Sequence, residues 1–170
     1  MNIKIKILEG NFVSKLKIFI SYCHEDENYK DDLLKYIKPV IDSQTDVELW
    51  HDRLMQTGQE LSATINNELE EMSLMICLIS ADYLGSKFCI QTELKAALEQ
   101  RKINKNNIFP IILRKCGWKH TVFSDLLCQP QDGKPVKEWE DKDDVYTEIA
   151  DALADVIKSL KESDNSKKKV

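Results

Sequence analysis

The chain reads as an α/β domain, a three-layer sandwich around a central parallel sheet of about five strands. Two observations predict this. Short apolar runs alternate with amphipathic segments, which is the strand–helix repetition that right-handed crossovers convert into parallel strands. The run SLMICLIS (Ser73 to Ser80) is apolar throughout, as a strand buried on both faces at the centre of such a sheet must be.

The elements follow in order. KIFISY (Lys17 to Tyr22) is β-branched and aromatic and ends in the polar cluster CHEDEN, so it reads as a buried strand followed by a loop. From about Tyr29 to Ile41, the residues Tyr29, Leu33, Leu34, Ile37 and Val40 or Ile41 recur at helical spacing. Pro39 should end or kink that helix. VELW (Val47 to Trp50) is a second short strand that empties into HDRLMQTGQE, where Gly58 marks a turn or mobile loop. A helix is expected from about Glu60 to Glu71, then the central strand, then a helix running to about Arg101. NIFPIILR (Asn107 to Arg114) is a fourth strand, and its Pro110 favours an edge or strand-end position. An irregular stretch follows, with one turn of helix near Val122 to Leu127. The last helix, about Asp143 to Leu160, has Asp143 or Asp144 as its N-cap. Residues 1–15 form an extension in which Ile3, Ile5 and Ile7 alternate with Lys4 and Lys6, suiting an extra edge strand. Residues 16–160 form the domain, and 161–170 a disordered polar tail.

Bulk properties narrow the function. A length of 170 residues suits one domain, with 42% hydrophobic and 31% charged residues, ordinary values for a soluble globular protein. A formal net charge of −5 argues against nucleic acid and anionic membranes as direct partners. No apolar stretch approaches the roughly 20 residues of a membrane span. The N-terminus lacks the block structure of a secretory signal. Five cysteines without CxxC or metal-ligand spacing read as reduced thiols of a cytoplasmic protein, with no metal site. Five glycines in all, with no Gly-x-Gly-x-x-Gly, exclude a Rossmann or P-loop phosphate cradle.

In a parallel sheet, ligands bind beyond the carboxyl ends of the strands. That places Ser21–Asp26, Trp50–Gln59 and Ser80–Glu93 along one edge. The motifs at this edge, FISYCHEDE, VELWHDRLMQTGQEL and LISADYLGSKFCIQTEL, followed by DGKPVKEW, resemble in that order those of the TIR (Toll/interleukin-1 receptor) domain, particularly its prokaryotic members. The resemblance covers roughly Lys17 to Ile157 and implies a flavodoxin-like fold. It further implies an NAD⁺ glycohydrolase (NADase) that releases nicotinamide and in some members cyclises the product, commonly in bacterial anti-phage defence. NAD⁺ is then a substrate, and no resident cofactor is needed. The resemblance makes Glu93 the catalytic residue. It also makes the loop with His51, Arg53, Leu54 and Gly58 the BB loop, through which TIR domains self-associate into an active oligomer, with an upstream sensor or downstream effector as further partner. Other family members are non-catalytic adaptors or effectors that act by homotypic contact.

The residues themselves allow that chemistry. Nicotinamide leaves as a neutral pyridine, so the demand is to stabilise an oxocarbenium-like ribose, which one carboxylate can meet. Ser21 and Tyr22 end the first strand, within reach of ribose or phosphate, or serve as ordinary loop-start residues. Trp50 can stack on a base or pack into the domain. Asp52 can bind a hydroxyl or close an Asx-turn. Ser80 and Tyr83 line the corner before the helix of Glu93, or act as a strand end and a core plug. Cys89 lies one turn before Glu93. As the nucleophile of a Cys-His hydrolase it is the sharpest rival, but spacing identifies no general base for it.

Overall fold

The computed structural model describes residues 15–50, 72–87, 89–102 and 108–167. Four parallel strands form one sheet in the order β2-β1-β3-β4: β1 Leu16–Ser21, β2 Val47–Trp50, β3 Leu74–Ile79 and β4 Ile108–Ile112. The order, with β1 and β3 inside and a crossover between every pair, is that of a flavodoxin-like sheet. All six residues of β3 are buried, as expected of the most apolar run.

The predicted strand number of about five becomes four among the described residues. The place of a fifth is marked by a single parallel bridge, Ile111 to Gln129, closed by Ile112 N–H to the Gln129 carbonyl and Gln129 N–H to the Pro110 carbonyl, both 2.8 Å. Pro130 follows immediately and has no N–H with which to extend the ladder. Pro110 lies in β4 with its missing N–H on this outer side, where the sheet loses least.

Strand alternation sorts the core into two halves. Leu16, Ile18, Ile20, Leu74, Ile76 and Leu78 face α1 (Glu27–Asp42) and α4 (Lys142–Lys167). Phe19, Met75, Cys77 and Ile79 face the other layer. That layer comprises α2 (Ala81–Gly85), a π-helical segment Cys89–Leu94, α3 (Lys95–Arg101) and the 3₁₀ turn Val122–Asp125.

Several local expectations are corrected. Pro39 does not end α1, which runs to Asp42; in the last turn a proline removes only one internal bond. The N-cap of α4 is Asp141, whose Oδ1 accepts from the N–H groups of Asp143 at 2.8 Å and Asp144 at 3.4 Å, so the predicted caps are the capped residues. Helix α4 continues to Lys167 through most of the segment expected to be a disordered tail, and Lys161 is tied to Asp46 and Gln44. The corner expected after Ser80 is the short helix α2 with a break at Ser86, and the predicted helix to Arg101 begins as a π-turn before continuing as α3. The extra N-terminal strand, the helix at about 60–71 and the loop of His51, Asp52, Arg53, Leu54 and Gly58 lie outside the described residues.

Candidate active site

Because the strands are parallel, their carboxyl ends share one edge, and the structure gathers there most of the described residues that the sequence singles out. Ser21 ends β1 with its side chain on the α2/α3 side. It is fully buried, as are Tyr83 and Ser80, and Glu93 is only 1% exposed. The Ser21 hydroxyl donates to Glu93 Oε2 and lies 3.0 Å from the Tyr83 phenol oxygen. A serine carries one proton. With that proton committed to Glu93, Tyr83 must be the donor to Ser21. The Tyr83 phenol also hydrogen-bonds the Cys77 thiol. A buried polar chain, Cys77–Tyr83–Ser21–Glu93, therefore ends at the carboxylate.

Burial is the main influence on these groups. It holds the Tyr83 phenol well above its ordinary range and pushes the Cys77 thiol up to about 12. Both stay protonated at neutral pH and both keep a proton to donate.

The π-turn explains how Glu93 reaches this position. Ser86 caps the turn, its hydroxyl accepting from Cys89 N–H at 3.3 Å and its carbonyl from Ile90 N–H at 3.1 Å. The wider turn buries Cys89, Glu93 and Leu94 together. Cys89 donates its thiol to the Tyr22 carbonyl at 3.6 Å. Adjacent Ser21 and Tyr22 point to opposite faces: the Tyr22 ring belongs to the α1/α4 core, with the Lys30 ammonium 5.3 Å from its centroid. Trp50, half-buried at the end of β2, stacks on Phe19 with centroids 5.1 Å apart and planes at 29°.

A second polar group lies beside the first, and two of its members escape the sequence reading. Asp26 stands at the N-cap position of α1 but makes no capping bond. Its fully buried side chain turns inward. It accepts from the Ser80 hydroxyl and from Arg114, through Nε at 3.1 Å and Nη2 at 2.7 Å. The same Nη2 donates to Asp82 Oδ2 at 2.5 Å. These two carboxylates hold the guanidinium well above even its usual range. Ser80 in turn caps α2, its oxygen accepting the Tyr83 N–H at 3.1 Å. Arg114 had a readable signal: it is the charged residue closing the apolar run IFPIILR, two residues past the end of β4 at the same edge. Among the described residues no group of His, Cys, Asp and Glu has the arrangement of a metal site, and no helix is long and apolar enough to cross a membrane.

Residues 18–150 match the TIR domain family. The chain belongs to that family. It is 34% identical over 136 residues to the uncharacterized protein y4lF of Sinorhizobium fredii, covering 80% of this chain and 42% of that protein. It is 27% identical over 128 residues to Toll-like receptor 4 of Pinctada imbricata, covering 72% of this chain and 14% of the receptor. The TIR domain here thus spans less than half the length of either relative. Membership places the chain among domains that interact homotypically and serve as signalling or adaptor modules.

Proposed function

We propose that this TIR domain is an NAD⁺ glycohydrolase with Glu93 as its catalytic residue. The observation that carries the reading is a carboxylate, buried at the sheet's carboxyl edge, that takes its hydrogen bond from a hydroxyl (Ser21). A glutamate that serves only as a helix former usually sits on a solvated face, and taking its charge out of water costs several kcal/mol in desolvation.

In the ligand-free chain, Ser21 supplies the hydroxyl that a substrate ribose supplies in the complex. Substrate binding exchanges one donor for the other. The bond between ribose C1′ and the nicotinamide nitrogen then breaks, its electron pair leaves with the nitrogen, and the positive charge passes to the ribose as an oxocarbenium ion. Glu93 faces that cation. At about 4 Å and an effective dielectric constant of about 20, the attraction is worth about 4 kcal/mol, roughly a thousandfold in rate. Water captures C1′ and loses a proton to give ADP-ribose, or the adenine of the same molecule captures it to give a cyclic product. Trp50 offers an aromatic ring at the same strand edge, and assembly through the loop of His51 to Gln59 completes the site.

The test is to incubate the protein, dilute and then concentrated, with NAD⁺ and separate the products. Nicotinamide appearing in equal amount with linear or cyclic ADP-ribose supports the reading. Homotypic binding without NAD⁺ consumption at any concentration supports the adaptor function instead, the reading favoured by the likeness to a receptor.

A further inference from the structure

We propose that Asp26, gripped by Arg114, is the positioning residue for Glu93, acting through Ser80, Tyr83 and Ser21. The proposal rests on the glycohydrolase reading for its kinetic consequences but not for its structural ones.

The argument follows the protons. Ser80 has one hydroxyl proton, and it goes to Asp26. The Ser80 lone pair is thereby turned to the Tyr83 N–H, 3.1 Å away, which caps the first turn of α2. That turn carries Tyr83, whose phenol meets Ser21 at 3.0 Å, and Ser21 meets Glu93. Ser80 thus fixes the backbone of Tyr83, and the Tyr83 phenol in turn orients the Ser21 hydroxyl that meets Glu93. Among the described residues Asp26 is the only carboxylate hydrogen-bonded to Ser80, and its own placement depends on the two-nitrogen grip of Arg114.

Arg114 also bonds Asp82, a second residue of α2. It therefore holds this five-residue helix twice, once directly and once through the cap. Such a helix is too short to be stable alone, so its position is decided by these polar ties and by the packing of Tyr83 on Phe123. The ends of β1, β3 and β4 meet in this one cluster. An Asp26 that only stabilised α1 would make a capping bond there, and it makes none.

The test compares Asp26→Asn, Arg114→Lys and Arg114→Gln with the parent chain, on two readouts. The first is the titration midpoint of the Glu93 carboxyl, followed by carbon NMR and assigned with Glu93→Gln. Removing a nearby negative charge by itself lowers that midpoint. Loosening the Ser21 donor raises it, because the charged form loses a hydrogen bond. The proposal expects Asp26→Asn to raise it; a fall or no change overturns the proposal whether or not the chain cleaves NAD⁺. The second readout is nicotinamide release. Misplacing a catalytic group typically costs about tenfold to a hundredfold, expected here in kcat with KM little changed. Arg114→Lys, which keeps the charge and one donor, should recover part of the loss seen in Arg114→Gln. Equal losses in both Arg114 variants, or losses that merely track the folded fraction seen by circular dichroism, overturn it. Arg114→Gln leaves Asp26 in place and serves where Asp26→Asn fails to fold. An inactive parent chain with the expected midpoint shift removes the glycohydrolase reading and leaves the positioning series standing.

Discussion

The two faces of the sheet are built from the same strands by opposite rules. On one face, Ile18, Ile76, Leu33, Ile37, Ile149 and Leu153 form an apolar core with α1 and α4. On the other, the same pleat delivers Ser21 and Cys77 to a layer that contains Tyr83 and Glu93. The first face makes stability from burial. The second places a carboxylate and three polar hydrogen-bonding groups where burial penalises them, and satisfies them with one another. Its helix is broken into short pieces with a π-turn, a feature found mostly at functional sites. Within one domain, the stable half acts as the platform and the costly half carries the proposed site.

Substitutions separate the halves most sharply at Glu93. Glu93→Gln keeps the shape and an acceptor for Ser21 but removes the buried charge. NAD⁺ cleavage should fall by roughly a thousandfold, on the order of the Coulomb estimate above. The melting temperature, followed by circular dichroism, should hold or rise, because the neutral amide avoids the desolvation cost of burying a carboxylate. A large loss of stability would instead make Glu93 a structural residue.

On the opposite face, Leu153→Ala should lower stability by about 2–5 kcal/mol through lost burial and a residual cavity. Activity per folded molecule should not change. Denaturant unfolding beside an activity assay checks both halves of that statement.

Alkaline pH should probe the polar face next. The Cys77 thiol, ordinarily titrating at 9.0, is raised to about 12 by burial, so between those values the folded chain holds a proton that the unfolded chain has lost. Stability therefore falls as pH rises through that window, by up to about 1.4 kcal/mol per pH unit for one group. Cys77→Ala should flatten the fall, as urea midpoints at pH 8 and 10 would show.

The smallest effect belongs to the platform's surface. The Lys161 hydrogen bond lowers the Asp46 carboxyl below its ordinary value. Its contribution is present above that ordinary value and lost as pH falls through the depressed one. The pair is over a quarter exposed on both sides, so Lys161→Ala should cost no more than about 1 kcal/mol at pH 7 and progressively less as pH falls through the depressed value.

This contrast also explains which parts could be read from sequence. Periodicity reports burial, so β3, the strand order's central member, and the apolar face of α4 were legible in SLMICLIS and in Val145, Ile149, Leu153 and Ile157. Glu93, Ser21, Ser80 and Tyr83 were legible through motif and strand-end position. The π-turn was not, since one extra residue in a turn leaves the apolar spacing almost unchanged. Asp26 and Arg114 were not paired in advance because 88 positions separate them and a local pattern carries no such information. Asp26 even occupies an ordinary cap position; only the direction of its side chain shows otherwise.

The most direct test of the polar face as a catalytic centre is nicotinamide release from NAD⁺ by the parent chain held in clusters, run beside Glu93→Gln clustered in the same way. The account predicts steady release by the parent chain, rising with clustering, and release near the uncatalysed background for the variant. No release by the clustered parent chain, or equal release by both, would contradict it.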